Sequence, residues 1–463
     1  MDRQAGPRKT GKARLPSRRW ESLRTTLWFT PAVLVAVAAG CFVLTYRLDQ
    51  AAYHGHLILP SWIRIGSADA GRQVLIAIAA AVITVVGVVF SITILALTLA
   101  SQQFGPRMLR TFMRDAGTQV ALGAFVATFV YAALALGSIT SGPRGEFVPH
   151  VAITLALTFL VADMGVLIYF IHHVAISIQL PEVIAGIARD LGRAIDQEFP
   201  DPEETPGGAG DGRKGGHQAD LVARVKAEGA RVRAPVSGYL QFVGYAELAA
   251  IAEEAGAVIV LAHRPGHFVV AGRTLATVWP AEAAPRVARA LERAHVTGPH
   301  RTLIQDPVFA IDQLVEIAIR ALSPAVNDTF TALTCIDWLG DGLCKVSGRR
   351  LSEGEYRDRS GDVRLIEAAP TYARMVDRSF DKIRQAGRGM PAVAIRQLDA
   401  LARVVESTTD PYRQAPLLRQ ADMILRAADE AIPEAEDRDL VRARHSGVLA
   451  AAQPAGAAGD RTP

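Results

Sequence analysis

No recognised catalytic constellation occurs in this chain of 463 residues. There is no phosphate-binding glycine loop ending in Lys, no Gly-x-Ser-x-Gly, no His-Glu-x-x-His and no paired-cysteine motif. With no nucleophile and base to name, the sequence points away from an enzyme and implies no cofactor or metal. The polar residues that could do chemistry lie instead in apolar surroundings. Thr84, Ser91 and Thr98 recur every seven residues, with Gly87 and Gln102 on nearly the same helical face. Such a stripe can line a pore. It can also be a packing seam, since small and weakly polar residues let transmembrane helices approach closely, and the sequence alone favours the seam. Asp163 is the only carboxylate inside a predicted span. A charge there costs about 2.5–3.5 kcal/mol, so the side chain must face protein or water. Helix geometry places it about 18 Å below the start of its span, at a depth close to that of Thr128. Two readings stay open: a neutral, hydrogen-bonded tie between helices, or a group that titrates in an ion or proton path. His172 and His173 follow near the end of the same run. Neighbours on a helix point apart, so this pair reads as solvated rather than metal-binding.

Four apolar runs in the first 173 residues must carry these groups. Between Arg72 and Arg107, 34 consecutive residues contain no Asp, Glu, Lys, Arg or His. A bilayer core needs only about 20 such residues in a helix. Spans are predicted at 27–46, 74–100, 119–140 and 151–171. The first is too long, and its Tyr46-Arg47-Leu48 flank too unlike a cleavage site, for a removed signal peptide. The second must tilt or project beyond the membrane, because Gln73 to Phe104 makes a helix of about 48 Å.

Charge orients these spans. The chain carries a formal +4, and residues 1–24 alone hold eight Lys and Arg. A basic flank beside an apolar span is a topology signal with anionic lipid headgroups as its partner, a better fit than nucleic-acid binding. With the N-terminus inside, the inner segments hold eleven Lys/Arg against four outside. The expectation is a multi-pass protein of a bacterial inner membrane with both termini cytoplasmic. Cys41, Cys335 and Cys344 show neither disulfide nor zinc spacing.

The remaining residues read as an α+β cytoplasmic domain. An amphipathic helix follows His173, interrupted near Pro181, and ends the membrane domain at residue 199. Residues 200–216 have the composition of a flexible linker. Residues 217–280 alternate short strands with turns around a helix at Tyr245–Glu254, the pattern of a small β barrel or sandwich. The rhythm Gly266-x-Phe268-Val269-x-x-Gly272-x-x-Leu275 resembles lipoyl- or biotinyl-type hybrid barrels, but the acceptor Lys is missing. Residues 281–445 form a helical region. Within it Asp306-Pro307 reads as a cap and first turn, Ser323-Pro324 as a break, and Asn327 or Asp328 as the next cap. The cluster Ser323, Asn327, Asp328 and Thr329 could bind a ligand, although capping accounts for the same residues. Residues 446–463 read as a disordered tail.

Two segments resemble a known family. Phe90-Ser-Ile-Thr-Ile-Leu-Ala-Leu-Thr-Leu-Ala-Ser-Gln-Gln-Phe-Gly-Pro-Arg-Met-Leu-Arg and Ala321-Leu-Ser-Pro-Ala-Val-Asn-Asp-Thr-Phe-Thr-Ala look like the bacterial membrane proteins grouped as domain of unknown function 2254. The resemblance covers roughly residues 20–430. It implies four inner-membrane spans and a cytoplasmic domain, and it carries over no functional residues. This chain has Asn-Asp-Thr where the family pattern leads one to expect Asn-Asp-Pro, a change compatible with a helix cap. The functional expectation is a homo-oligomeric channel or transporter-like protein for small ions, gated or assembled by its cytoplasmic domain. The alternative is a membrane-anchored binding or sensory module.

Overall fold

A computed structural model describes residues 28–58, 60, 63, 67–104, 115–142, 145–199, 215–351 and 354–452. The basic tail, most of the glycine-rich linker and the end of the predicted C-terminal tail lie outside the described residues. The chain divides into two compact units, 1–179 and 180–463.

Among its described residues, the first unit contains four helices long and apolar enough to cross a membrane. They are α1 (Phe29–Tyr53), α2 (Ala68–Phe104), α3 (Ala116–Gly137) and α4 (His150–Ser177), with a short hairpin of β1 (Thr140–Gly142) and β2 (Gly145–Phe147) before α4. All four predicted spans are present, each as part of a helix. At 37 residues, α2 is about 55 Å long, more than one bilayer core requires. Helix α3 is the centre of the bundle, packing against α1, α2 and α4. Its small residues explain this place: Ala121, Gly123, Ala132 and Ala135 are buried and allow close approach. A Cβ on Gly123 would sit 2.7 Å from Leu34 and 3.0 Å from the Pro31 Cα, so that contact requires glycine.

The second unit begins with α5 (Leu180–Glu198). This corrects the expected boundary, which keeps the helix with the membrane domain. Its apolar stripe of Ile184, Ile187, Leu191 and Ile195 is buried against α9 (Pro307–Ala321) and α10 (Thr329–Ser347). Burying four such side chains, at about 1.5–3 kcal/mol each, ties the helix to this unit. Next come α6 (Gly215–Glu228), β3 (Ala230–Arg233), β4 (Gly238–Val243), α7 (Tyr245–Glu254), β5 (Val258–Leu261), β6 (Phe268–Val269), β7 (Thr274–Trp279), α8 (Ala284–Ala294) and β8 (His295–Gly298). After α9 and α10 follow β9 (Glu355–Arg357), β10 (Val363–Ile366), α11 (Tyr372–Ala386), α12 (Pro391–Glu406), α13 (Pro411–Ala431) and α14 (Ala435–Ala451).

The strands form two small sheets, ordered β3-β7-β5-β10-β9 and β6-β4-β8. The β region is therefore not confined to 217–280: β10 inserts from far along the chain and pairs in parallel with β5. Residues 446–451 are also not a tail. They continue α14, because Val441 and Val448 are fully buried and α14 packs on α12 and α13.

Candidate functional site

The hydroxyl stripe of α2 faces away from its own bundle. Leu75, Ile78, Val82 and Val89 form the buried face of the helix. Thr84 and Ser91 lie two residues past Val82 and Val89, about 200° around the axis. Thr84, Ser91 and Thr98 are all exposed, and a Cβ on Gly87 would meet nothing within 4 Å. Among the described residues, the stripe therefore packs against no helix of its own bundle. Each hydroxyl donates to the carbonyl four residues earlier: Thr84 to Ala80 at 2.8 Å, Ser91 to Gly87 at 2.9 Å and Thr98 to Ile94 at 2.8 Å. These bonds satisfy the donors without another helix. The Gln102 side chain lies outside the described residues.

Asp163 is buried at 6% exposure and hydrogen-bonded to Thr128, the residue that helix geometry placed at its depth. Its Oδ2 has no hydrogen-bond partner among the described residues. It is not the only carboxylate buried in these helices. Helix α1 continues past Tyr46 to Tyr53, and Asp49, 2% exposed, accepts from the amides of Val151 at 2.8 Å and Ala152 at 3.0 Å. Asp49 thus caps α4, whose own N-cap position is Pro149 and offers no side-chain acceptor. That missing local acceptor is the one sequence signal that could have pointed to a distant cap. At the other end of α4, His173 is not simply solvated: its Nε2 lies 2.8 Å from both carboxylate oxygens of Asp115, the N-cap of α3.

In the second unit the Ser323–Thr329 cluster is helix punctuation. The Ser323 hydroxyl donates to the Arg320 carbonyl at 2.7 Å, and Asp328 accepts from the Thr331 amide at 3.1 Å. Asn327 takes a positive φ of 49° between the two helices. Capping and the turn between α9 and α10 account for all three without a ligand.

A charged cluster that sequence reasoning missed lies where α5, the β5–β6 turn, the segment before α9, the end of β10 and α11 converge. Asp306 stands at the N-cap position of α9 but does not cap it. Its Oδ2 instead accepts from Arg301 Nε at 2.9 Å and Nη2 at 2.7 Å. Arg301 also pairs with Asp312, which Arg378 holds at 2.5 and 2.8 Å. Gly266, at φ +89°, lets the turn close over this carboxylate, for a Cβ there would overlap Asp306 Oδ2. On the other side Tyr245 and Tyr356 stack with ring centroids 5.1 Å apart, and both hydroxyls meet Glu367. Burial and the neighbouring Glu367 push Glu198, at the end of α5, up to about 7. Burial likewise raises Glu367. His267 is depressed to about 4 by burial and by Arg264. Arg264 is 8% exposed, and its guanidinium donates to no described residue. These groups come from many separate elements spread along the chain, so no local motif could announce them. Convergent titratable groups displaced this far from their ordinary pKa values are a recognised mark of functional sites.

Comparison with known proteins agrees with the membrane architecture. A family model described as predicted membrane protein (DUF2254) matches residues 24–403. Uncharacterized proteins of Mycobacterium bovis and Mycobacterium tuberculosis are 32% identical over 427 residues, covering 90% of this chain and 79% of theirs. No solved structure matches. The chain therefore belongs to the DUF2254 family of predicted membrane proteins.

Proposed function

We propose that the protein works as a homo-oligomeric channel or transporter-like protein for small ions in a bacterial inner membrane, with both termini cytoplasmic. The observation that carries this reading is the outward face of α2. Four spans of one copy seldom enclose a path, whereas copies meeting along Thr84, Gly87, Ser91 and Thr98 would place hydroxyls around a shared axis. Close approach is possible there because Gly87 and the short hydroxyl side chains leave the backbone accessible. Asp163 and Thr128 supply a second polar position between α3 and α4. The basic residues on the inner segments support the orientation and would meet anionic headgroups.

The test is oligomeric mass in nanodiscs together with ion flux in reconstituted vesicles. Thr84→Leu, Ser91→Leu and Thr98→Leu combined should abolish flux and change the assembly while the helices remain inserted. A wild-type monomer without flux overturns the reading. A second reading, a membrane-anchored binding or sensory module, is favoured by one specific observation: the convergent buried charges around Arg264 in the second unit.

A further inference from the structure

Asp49, Asp115 and Asp163 all bond between helices of the first unit, and two of them use both carboxylate oxygens. Asp49 accepts from the Val151 amide on one oxygen and from the Ala152 amide on the other. Asp115 accepts from Thr118 on Oδ2, and both of its oxygens meet His173. Asp163 differs. It lies midway along the 28 residues of α4, is bonded to Thr128, and keeps Oδ2 without a hydrogen-bond partner among the described residues. A mere tie between α3 and α4 needs one oxygen, which Ser, Thr or Asn would supply without a carboxyl group.

Polar side chains lead away from this position. One turn from Thr128 and Asp163, Tyr131 and Phe159 meet edge to face with ring centroids 5.1 Å apart. The Tyr131 hydroxyl lies 2.8 Å from Thr45 Oγ1, and since Thr45 donates to the Cys41 and Phe42 carbonyls, Tyr131 is the donor of that pair. Asp49 follows Thr45 by one turn of α1, so polar groups step from Asp163 to the start of α4. Helix α3 carries no charged residue. Arg47 and Asp49 on α1, Asp69 and Arg72 on α2, and His150, His172 and His173 on α4 lie towards the helix ends. Cys41 and Tyr131 are further titratable groups packed in the interior.

We propose that the Asp163 carboxyl takes up and releases a proton, and that the proton is the ion this bundle moves. Uptake turns a carboxylate and a hydronium ion into a carboxylic acid and water, and release reverses it. In the carboxylate form Oδ2 holds charge with no donor, in a membrane that offers no water, and one bound proton relieves this. A hard metal cation takes about six oxygen ligands, whereas Thr128 is the one side chain bonded to Asp163 among the described residues. The inference deepens the transport reading and rests on it.

The experiment uses the full-length protein in lipid vesicles. A pH-sensitive dye inside them reports proton movement down an imposed pH gradient, with sodium and potassium gradients as separate arms. Infrared difference spectra over a pH series follow the C=O stretch of protonated carboxyl groups. The wild type should move protons and show a carboxyl band that comes and goes with pH. Asp163→Asn, which keeps an acceptor and the shape, should insert normally, lose that band and move protons no faster than protein-free vesicles. Asp163→Glu should restore a titrating band at a changed frequency. Identical infrared pH series for wild type and Asp163→Asn overturn the site, as does proton movement that the Asn variant leaves unchanged. Should the Asn variant not insert, Asp163→Glu decides, and a band of unaltered frequency overturns the site. A titrating Asp163 band in a protein that moves no ion overturns the transport reading and leaves the proton site standing. Sodium or potassium flux indifferent to pH and to Asp163 does the reverse.

Discussion

Glu198→Gln should stabilise the second unit at neutral and alkaline pH. Glu198 ends α5 in a site where burial, and then the charge of Glu367, raise its pKa from 4.5 to about 7. A folded-state pKa above the unfolded value means that the native state binds the extra proton. The group therefore does not penalise folding below about pH 4.5. Stability then falls as pH rises, and the loss is complete once pH passes about 7. A tenfold change in proton affinity is worth about 1.4 kcal/mol, so the full penalty is about 3 kcal/mol. The neutral amide keeps the shape and removes the titration. Thermal unfolding of wild type and Glu198→Gln from pH 4 to 9 is the assay. The two curves should coincide near pH 4.5 and separate steadily up to about pH 7.5, with the variant more stable by about 2–3 kcal/mol. Parallel curves, or a variant less stable at pH 8, would show that Glu198 is held as a paired carboxylate and refute the argument.

Asp49→Ala should destabilise the first unit by about 1–2 kcal/mol, because the amides of Val151 and Ala152 lose their cap. Asp49→Asn, which keeps an acceptor, should recover most of that in an SDS-unfolding titration, and equal losses in both variants would remove the capping role. Gly266→Ala should cost about 2–4 kcal/mol, since the new methyl meets Asp306 and the backbone sits at φ +89°. An unchanged melting temperature would show that the turn can open away from the carboxylate.

The membrane architecture was legible in the residues alone, because burial in lipid imposes a composition on about 20 consecutive residues that no folded context can disguise. So was the local punctuation. The break before Pro181, the helix Tyr245–Glu254 and the cap at Asp328 all depend on residues within a few positions of each other. Asp163 and Thr128 match in depth because helical rise is constant. Whatever depends on which surfaces meet required the folded chain. The face on which the Thr84–Thr98 stripe lies follows from where α3 packs, since a seven-residue polar repeat looks the same towards a neighbour or away from one. Asp49 capping α4 joins residues about one hundred apart, and β10 joins β5 across a similar distance. The cluster around Arg264 draws on many separate elements and leaves no spacing to recognise. Helix periodicity and capping are short-range and written locally, whereas the burial that shifts Glu198 and encloses Arg264 exists only once distant segments close around them.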